Sequence, residues 1–232
     1  MDTDSLINEY LLNKREERGQ RTIQDRTFYC SELGYCPRKI YYKRMMPKDV
    51  PVDTLKVFML GDMIHEKMTE ILGFKYKNIS SEGRLCVYIP DKNIRLSGKY
   101  DDLIITEDNK LLLIEKKSIK NLYYVKQAHP HHILQAVIYM KALGVDDAII
   151  VYIEKNTWKT LSFPVKFNKK DFLNVLDKAA GIQLCLDNHT LPPKQPIGSW
   201  ECNYCDWKQE CNKEFNPDPT PPKKKKVKKN GQ

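Results

Sequence analysis

Asp101, Glu115 and Lys117 are the residues whose types and spacing invite a chemical reading. Ile94 to Thr106 and Leu111 to Ile119 are rich in β-branched and apolar residues, and Glu107-Asp108-Asn109-Lys110 between them are turn formers. The pattern predicts a β-hairpin turning near Asp108 and Asn109. Side chains alternate along a strand, so Glu115 and Lys117 share one face and Lys116 takes the other. Position 101 falls opposite 115, 116 or 117. Where it pairs with 115 or 117, Asp101 joins that face, and two acids and a lysine converge beside Leu111, Leu112, Leu113 and Ile114. Ionised groups in an apolar strand are costly unless paired or bound to a metal. Two readings follow: a structural ion pair, or a divalent-metal site with a lysine over the scissile group. Oxygen ligands suit Mg2+ or Mn2+.

Other elements must position these groups. Val57 to Leu72 carries apolar residues at helical spacing at Leu60, Ile64, Met68 and Ile71. His65 stands four residues after Gly61 and faces partly inward, either as a hydrogen-bonded core histidine or as a ligand. Leu85 to Ile89 reads as a strand with Cys86 in the core; Glu82 before it reads either as a surface residue or as one near the site. Pro130 opens a helix that Gly144 closes. Gln135 and Tyr139 project together from it, either as an ordinary polar edge or as groups that hydrogen-bond phosphate and stack on a base. Strands at Ala148–Ile153 and Thr160–Phe167 and a helix at Asp171–Leu186 complete the pattern. The order of elements fits an α/β sheet with helices on its faces. Asp4 and Ser5 read as caps of an N-terminal helix, and the charged run from Lys14 to Arg26 as a solvated face.

The chain has seven cysteines and no export signal, so metal ligation is the better expectation than a disulfide framework. Cys202-x2-Cys205-x5-Cys211 is one ligand short of four, and Cys36, just ahead of Pro37-Arg38, can supply the last. Cys30 reads as a packed thiol. The formal charge is +9, with 39 Lys and Arg against 30 Asp and Glu. Six of the positives are tail lysines between Lys223 and Lys229, so the body carries about +3 by subtraction. Nucleic acid is a plausible partner on that balance. No apolar run reaches membrane-spanning length, and the chain reads as intracellular, in a bacterial or phage-infected cytoplasm. The Pro- and Lys-rich tail cannot build a core. It reads as a DNA-backbone grip or, in a eukaryotic host, a nuclear import signal.

Five motifs in order carry a resemblance: S-x4-C-P-R from Ser31, G-x3-H from Gly61, G-x2-D with E-x-K from Gly98 to Lys117, Q-x3-Y from Gln135, and C-x2-C-x5-C from Cys202. Together they resemble the RecB-type PD-(D/E)XK exonucleases with a four-cysteine iron–sulfur cluster, the CRISPR-associated exonucleases among them. The resemblance covers roughly Ser31 to Cys211. It implies a restriction-endonuclease-like α/β core, a mixed central sheet flanked by helices, with an iron–sulfur module joining the two ends. It implies Mg2+ or Mn2+ held by His65, Asp101, Glu115 and the Lys116 backbone carbonyl, with Asp101, Glu115 and Lys117 catalytic. It implies a [4Fe–4S] cluster on Cys36, Cys202, Cys205 and Cys211, and DNA contacts from Gln135 and Tyr139. The implied activity is exonucleolytic hydrolysis of single-stranded DNA ends in recombination, repair, replication or spacer processing, possible protein partners included. The expected organisation is a helical, charged segment at 1–29, a nuclease domain at 30–212 and a basic tail at 213–232. Lys99-Tyr100 stand where an aliphatic residue is usual, and Cys30 is surplus. The competing readings are a non-catalytic nucleic-acid-binding protein with a four-cysteine zinc site, and an adaptor with a decayed nuclease site.

Overall fold

The computed structural model describes residues 1–17 and 25–212. The expected tail at 213–232 and most of the charged run lie outside the described residues. Helix α1 (Thr3–Glu17) starts on Asp2, whose Oδ1 accepts from the Asp4 and Ser5 N–H groups. Strand β1 (Thr27–Tyr29) and helix α2 (Pro37–Met45) follow, and Pro37 opens α2 where its missing N–H costs nothing. Next come α3 (Val52–Lys75), β2 (Lys77–Ser81), β3 (Arg84–Ile89), β4 (Ile94–Lys99), β5 (Asp102–Ile105) and β6 (Leu111–Ile119). The remainder is α4 (Pro130–Leu143), β7 (Asp147–Glu154), β8 (Thr160–Lys166), α5 (Lys169–Asp187), α6 (Ser199–Asn203) and α7 (Lys208–Asn212).

The central sheet has the order β2-β5-β6-β7-β8, with β6 and β7 parallel and the other pairs antiparallel. Helix α4 makes the crossover between the parallel pair, as a parallel connection requires. A second sheet, β1-β4-β3, stands beside it. The α/β core, with a mixed sheet and helices on its faces, is the expected fold class.

The strand expected over Ile94–Thr106 is two strands in two sheets. The chain leaves β4 at Lys99, passes Tyr100 and Asp101, and enters the central sheet at Asp102. The turn beyond β5 lies where the polar cluster placed it, with Asn109 left-handed at φ 59° and its N–H bonded to the Thr106 carbonyl. The register then follows: Asp102 faces Ile114, which brings Asp101 level with Glu115. Cys86 is exposed rather than core, because β3 is an edge strand whose inward positions are Leu85, Val87 and Ile89.

The sheet alternation separates two apolar layers. Leu113, Ile150 and Tyr152 pack with Ala136, Val137 and Met140 of α4 and Val175 and Ile182 of α5. Ile104, Ile114, Val151 and Ile153 pack under Ile64 and Met68 of α3. A third cluster, Tyr41, Tyr42 and Trp207, joins α2 to the end of the chain. There the Trp207 Nε1–H donates to the Met46 carbonyl at 3.0 Å, and the buried Glu201 carboxylate accepts from the Cys36 and Ile197 N–H groups at 2.7 and 2.9 Å. Among the described residues, no helix is long and apolar enough to cross a membrane.

Candidate active site and metal centre

Strand β6 supplies both faces of the site. Leu113, Glu115 and Lys117 point towards α4, and Leu112, Ile114 and Lys116 towards α3. On the α4 side, Lys117 Nζ donates to Glu115 Oε1 at 2.7 Å and to Gln135 Oε1 at 3.0 Å. Asp101 arrives from the β4–β5 switch, and its Oδ2 accepts from the Lys116 N–H at 2.6 Å. His65 Nδ1 lies 3.2 Å from Asp101 Oδ1. The fold thus brings His65, Asp101, Glu115 and Lys117 to one place from three elements. Asp101 is 6% exposed and Glu115 1%.

Glu82 is exposed and also stands beside this constellation, so both readings of it hold. Ligand atoms of His65, Glu82 and Asp101 all lie within 4.8 Å of one another. Its backbone sets this placement: Glu82 is left-handed at φ 54°, and its N–H bonds to the Asp101 carbonyl at 2.7 Å. That turn after β2 swings the carboxylate to the site, and no periodicity encodes it. The only sequence signal is Gly83 after it, where an added Cβ would fall 2.2 Å from Tyr100.

The electrostatics separate the two acids. Burial pushes the Glu115 carboxyl up to about 7; Lys117 opposes this and the Asp101 charge adds to it. Burial acts the same way on Asp101, but the His65 contact, the Lys117 charge and the Lys116 N–H outweigh it and hold Asp101 below its usual value. Lys117 is raised: burial works against its charge, and Glu115 and Asp101 more than compensate. Glu115 Oε2 is buried with no hydrogen-bond partner among the described residues. The His65, Glu82 and Asp101 ligand atoms fit a divalent cation, and the unpartnered Glu115 oxygen, which feels the Asp101 and His65 charges, is a further carboxylate oxygen of the kind such an ion takes directly.

The opposite face of β6 holds an ion pair with both side chains 0% exposed: Lys116 Nζ lies 2.7 Å from Asp102 Oδ2. The ammonium also donates to the His65 carbonyl at 2.9 Å and to Thr69 Oγ1 at 2.5 Å. Asp102 Oδ1 accepts from Ser81, Thr69 and Asn78. The pair fastens the turn of α3 that carries His65 to β5 and β6.

Gln135 and Tyr139 do not present themselves to a nucleic acid. They are 5% and 1% exposed. Gln135 Nε2 donates to the Tyr139 hydroxyl at 3.2 Å, and that hydroxyl donates to the Lys99 carbonyl at 3.1 Å. Burial raises the Tyr139 pKa, so the hydroxyl keeps its proton. With the ring enclosed, Gln135 and Tyr139 form a hydrogen-bonded brace that reaches Lys117. Gly98 belongs to the same brace, since a Cβ there would fall 2.7 Å from the Tyr139 ring.

Cys36, Cys202, Cys205 and Cys211 line one hollow, with Arg38 and Tyr42 among its other walls. Arg38 Nη1 lies 3.6 Å from Cys211 Sγ, and Lys39, Lys194 and Lys208 add positive charge around it. Four cysteine sulfurs around one hollow lined by cationic side chains fit a sulfur-ligated metal group. Cys30 is fully buried away from this hollow and against Gly98, as a packed thiol.

The chain is 26% identical over 208 residues to the CRISPR-associated exonuclease Cas4 of Saccharolobus solfataricus, covering 86% of this chain and 95% of that protein. Its fold is similar to the crystal structure of SSO0001, with a TM-score of 0.67 at 20% identity over 90% of this chain and 98% of that one. The profile of the PD-(D/E)XK nuclease superfamily matches residues 59–212, a span that contains His65, Glu82, Asp101, Glu115, Lys117 and three of the four clustered cysteines, and the chain belongs to that superfamily.

Proposed function

We propose that the chain is a Mg2+- or Mn2+-dependent DNA exonuclease that hydrolyses single-stranded ends. The observation that carries this reading is the meeting of two pairs, His65 with Asp101 at 3.2 Å and Lys117 with Glu115 at 2.7 Å, close enough for each pair's charges to act on the other. His65, Asp101, Glu115 and the Lys116 backbone carbonyl would hold the ion, and Glu82, paired with Lys99 here, lies close enough to His65 and Asp101 to be a further ligand. A bound divalent ion supplies Lewis acidity, lowering the pKa of a water and offsetting charge on the phosphate. Lys117 stays charged between two acids, so its ammonium orients the attacking water or stabilises the extra negative charge on the phosphate. Gln135 and Tyr139 keep that ammonium from swinging away. The similarity to a CRISPR-associated exonuclease supports action on ends, in spacer processing or in recombination, repair or replication.

In this reading 30–212 is the nuclease domain, with 1–29 and 213–232 as appendages. A [4Fe–4S] cluster on Cys36, Cys202, Cys205 and Cys211 clamps its two ends.

The test is degradation of end-labelled linear single strands with Mn2+, against EDTA and against circular single strands. Loss of the linear strand alone, abolished by EDTA, is expected; no cleavage with either metal, or equal cleavage of circles, overturns the exonuclease reading. Protein purified anaerobically should be brown and carry iron and sulfide. Cys36→Ala should lose the iron and Cys30→Ala keep it. Stoichiometric zinc without iron or sulfide would remove the cluster and leave the nuclease reading standing.

A further inference from the structure

Two loops leave the sheet at the edge where β6 and β7 both end. β6 runs two residues past Lys117 to Ile119, level with Glu154 of β7. The first loop is Lys120-Asn121-Leu122-Tyr123-Tyr124-Val125-Lys126, and the second is Lys155-Asn156-Thr157-Trp158-Lys159. They are fastened together, since the Lys155 N–H donates to the Ile119 carbonyl at 2.9 Å and the Leu122 N–H to Glu154 Oε1 at 3.1 Å. At about 3.3 Å per residue, Lys120 stands roughly 10 Å beyond Lys117 along the strand line.

The first loop is built to hold its aromatic rings outward. Val125 is buried and Leu122 packs against the core. Asn121 Oδ1 accepts from the Tyr123 N–H at 2.8 Å. Between these anchors Tyr123 and Tyr124 are 72% and 77% exposed. Their rings meet edge to face, with centroids 5.2 Å apart, and Lys126 Nζ lies 4.8 Å from the Tyr123 ring centre. Trp158 is also exposed.

The charge around these rings has one sign. From Lys117 to Val145 the chain carries no Asp or Glu, only Lys117, Lys120, Lys126 and Lys141. Glu154 is the acid of the second loop's base, engaged by the Leu122 N–H and the Thr157 hydroxyl. The acidic groove of Asp62, Glu66 and Glu82 belongs to the metal-ligand side of the site. A polyanion is drawn to the basic rim.

We infer that the 120–126 and 155–159 loops are a stacking platform that receives single-stranded DNA on its way to Lys117. The inference rests on the DNA-nuclease reading and adds to it the surface that grips the strand. Exposed rings interleaved with lysines bind single strands without regard to sequence, because every base has a face to stack and every nucleotide a phosphate. Bases of a duplex are stacked on one another and do not offer those faces. Gln135 and Tyr139, enclosed as they are, leave this task to Tyr123, Tyr124 and Trp158.

The test is fluorescence anisotropy of the full chain with labelled oligo-dT and with an abasic oligonucleotide of the same length, in Ca2+. The double variant Tyr123→Ala/Tyr124→Ala should bind oligo-dT about tenfold more weakly or worse and the abasic strand as before. Trp158→Ala should weaken oligo-dT binding in the same selective way, and Tyr123→Phe/Tyr124→Phe should bind as wild type. Lys120→Ala/Lys126→Ala should weaken both probes and flatten the salt dependence by roughly one unit of slope. The platform is overturned if the alanine pair binds oligo-dT as tightly as wild type, or loses both probes equally. Mn2+-dependent cleavage by a wild type whose alanine pair binds normally would sink the platform alone; a wild type that neither binds nor cleaves DNA would sink both readings.

Discussion

Replacing Lys116 by Met should destabilise the protein more than any substitution of the catalytic face. The ammonium sits 2.7 Å from Asp102 Oδ2, with both side chains 0% exposed, and also holds the His65 carbonyl and Thr69 Oγ1. Met keeps most of the volume, so the loss is electrostatic: Asp102 retains its Ser81, Thr69 and Asn78 donors but is buried without a counter-charge. Breaking one side of such a pair costs about 3–5 kcal/mol. At about 2–4 °C per kcal/mol for a chain of this size, the melting temperature should fall by about 6–20 °C. The double variant Lys116→Met/Asp102→Leu should recover most of that loss, because a well-packed apolar pair is close to neutral in place of a buried ion pair. The assay is differential scanning calorimetry of metal-free wild type, both single variants and the double variant. Mn2+ titrations should show weaker binding in Lys116→Met, whose His65 turn is no longer held. A single variant melting within 2 °C of wild type, or a double variant no better than the single, would refute the reasoning.

Three further outcomes follow from the same geometry. Glu115 titrates at about 7 in the folded state against a reference of 4.5, so between those values the native state binds more protons than the unfolded one. Metal-free stability should therefore fall by on the order of 3 kcal/mol as pH rises from about 4.5 to 7, and Mn2+ should restore it at pH 8; a denaturation midpoint that stays flat or rises over that window contradicts this. Gln135→Ala should lower the cleavage rate at saturating DNA by roughly tenfold while leaving the dissociation constant for DNA in place, since it touches Lys117 and is enclosed; a weakened affinity with an unchanged rate would return Gln135 to strand binding. Deleting Pro221 to Gln232 should weaken DNA binding uniformly across sequences and flatten its salt dependence, and an unchanged salt slope would show that the tail does not grip DNA.

The alternation of β6 made much of the site legible: it placed Glu115 and Lys117 together and Lys116 opposite before any register was known. The register itself was not legible, because Asp101 lies between two strands of different sheets rather than inside one. Strands β1 and β2 went unseen, one having three residues and the other reading as polar Lys77-Asn78-Ile79-Ser80-Ser81. Cys86 was misplaced because alternation does not say which face of an edge strand is covered. Gln135 and Tyr139 were found by their spacing, but spacing does not distinguish a helix buried almost all round from one with a wet face. Glu82 depends on a left-handed turn after β2, a conformation set by tertiary contact with Asp101.

The central claim is that Asp101, Glu115 and Lys117 form one hydrolytic site. The most direct measurement is the single-turnover rate on end-labelled single-stranded DNA with saturating Mn2+, comparing wild type with Glu115→Ala and Lys117→Ala. Each variant should fold, bind the strand, and cleave at least roughly a hundredfold more slowly, the scale of losing one electrostatic stabiliser. Cleavage by either variant at the wild-type rate would contradict the account.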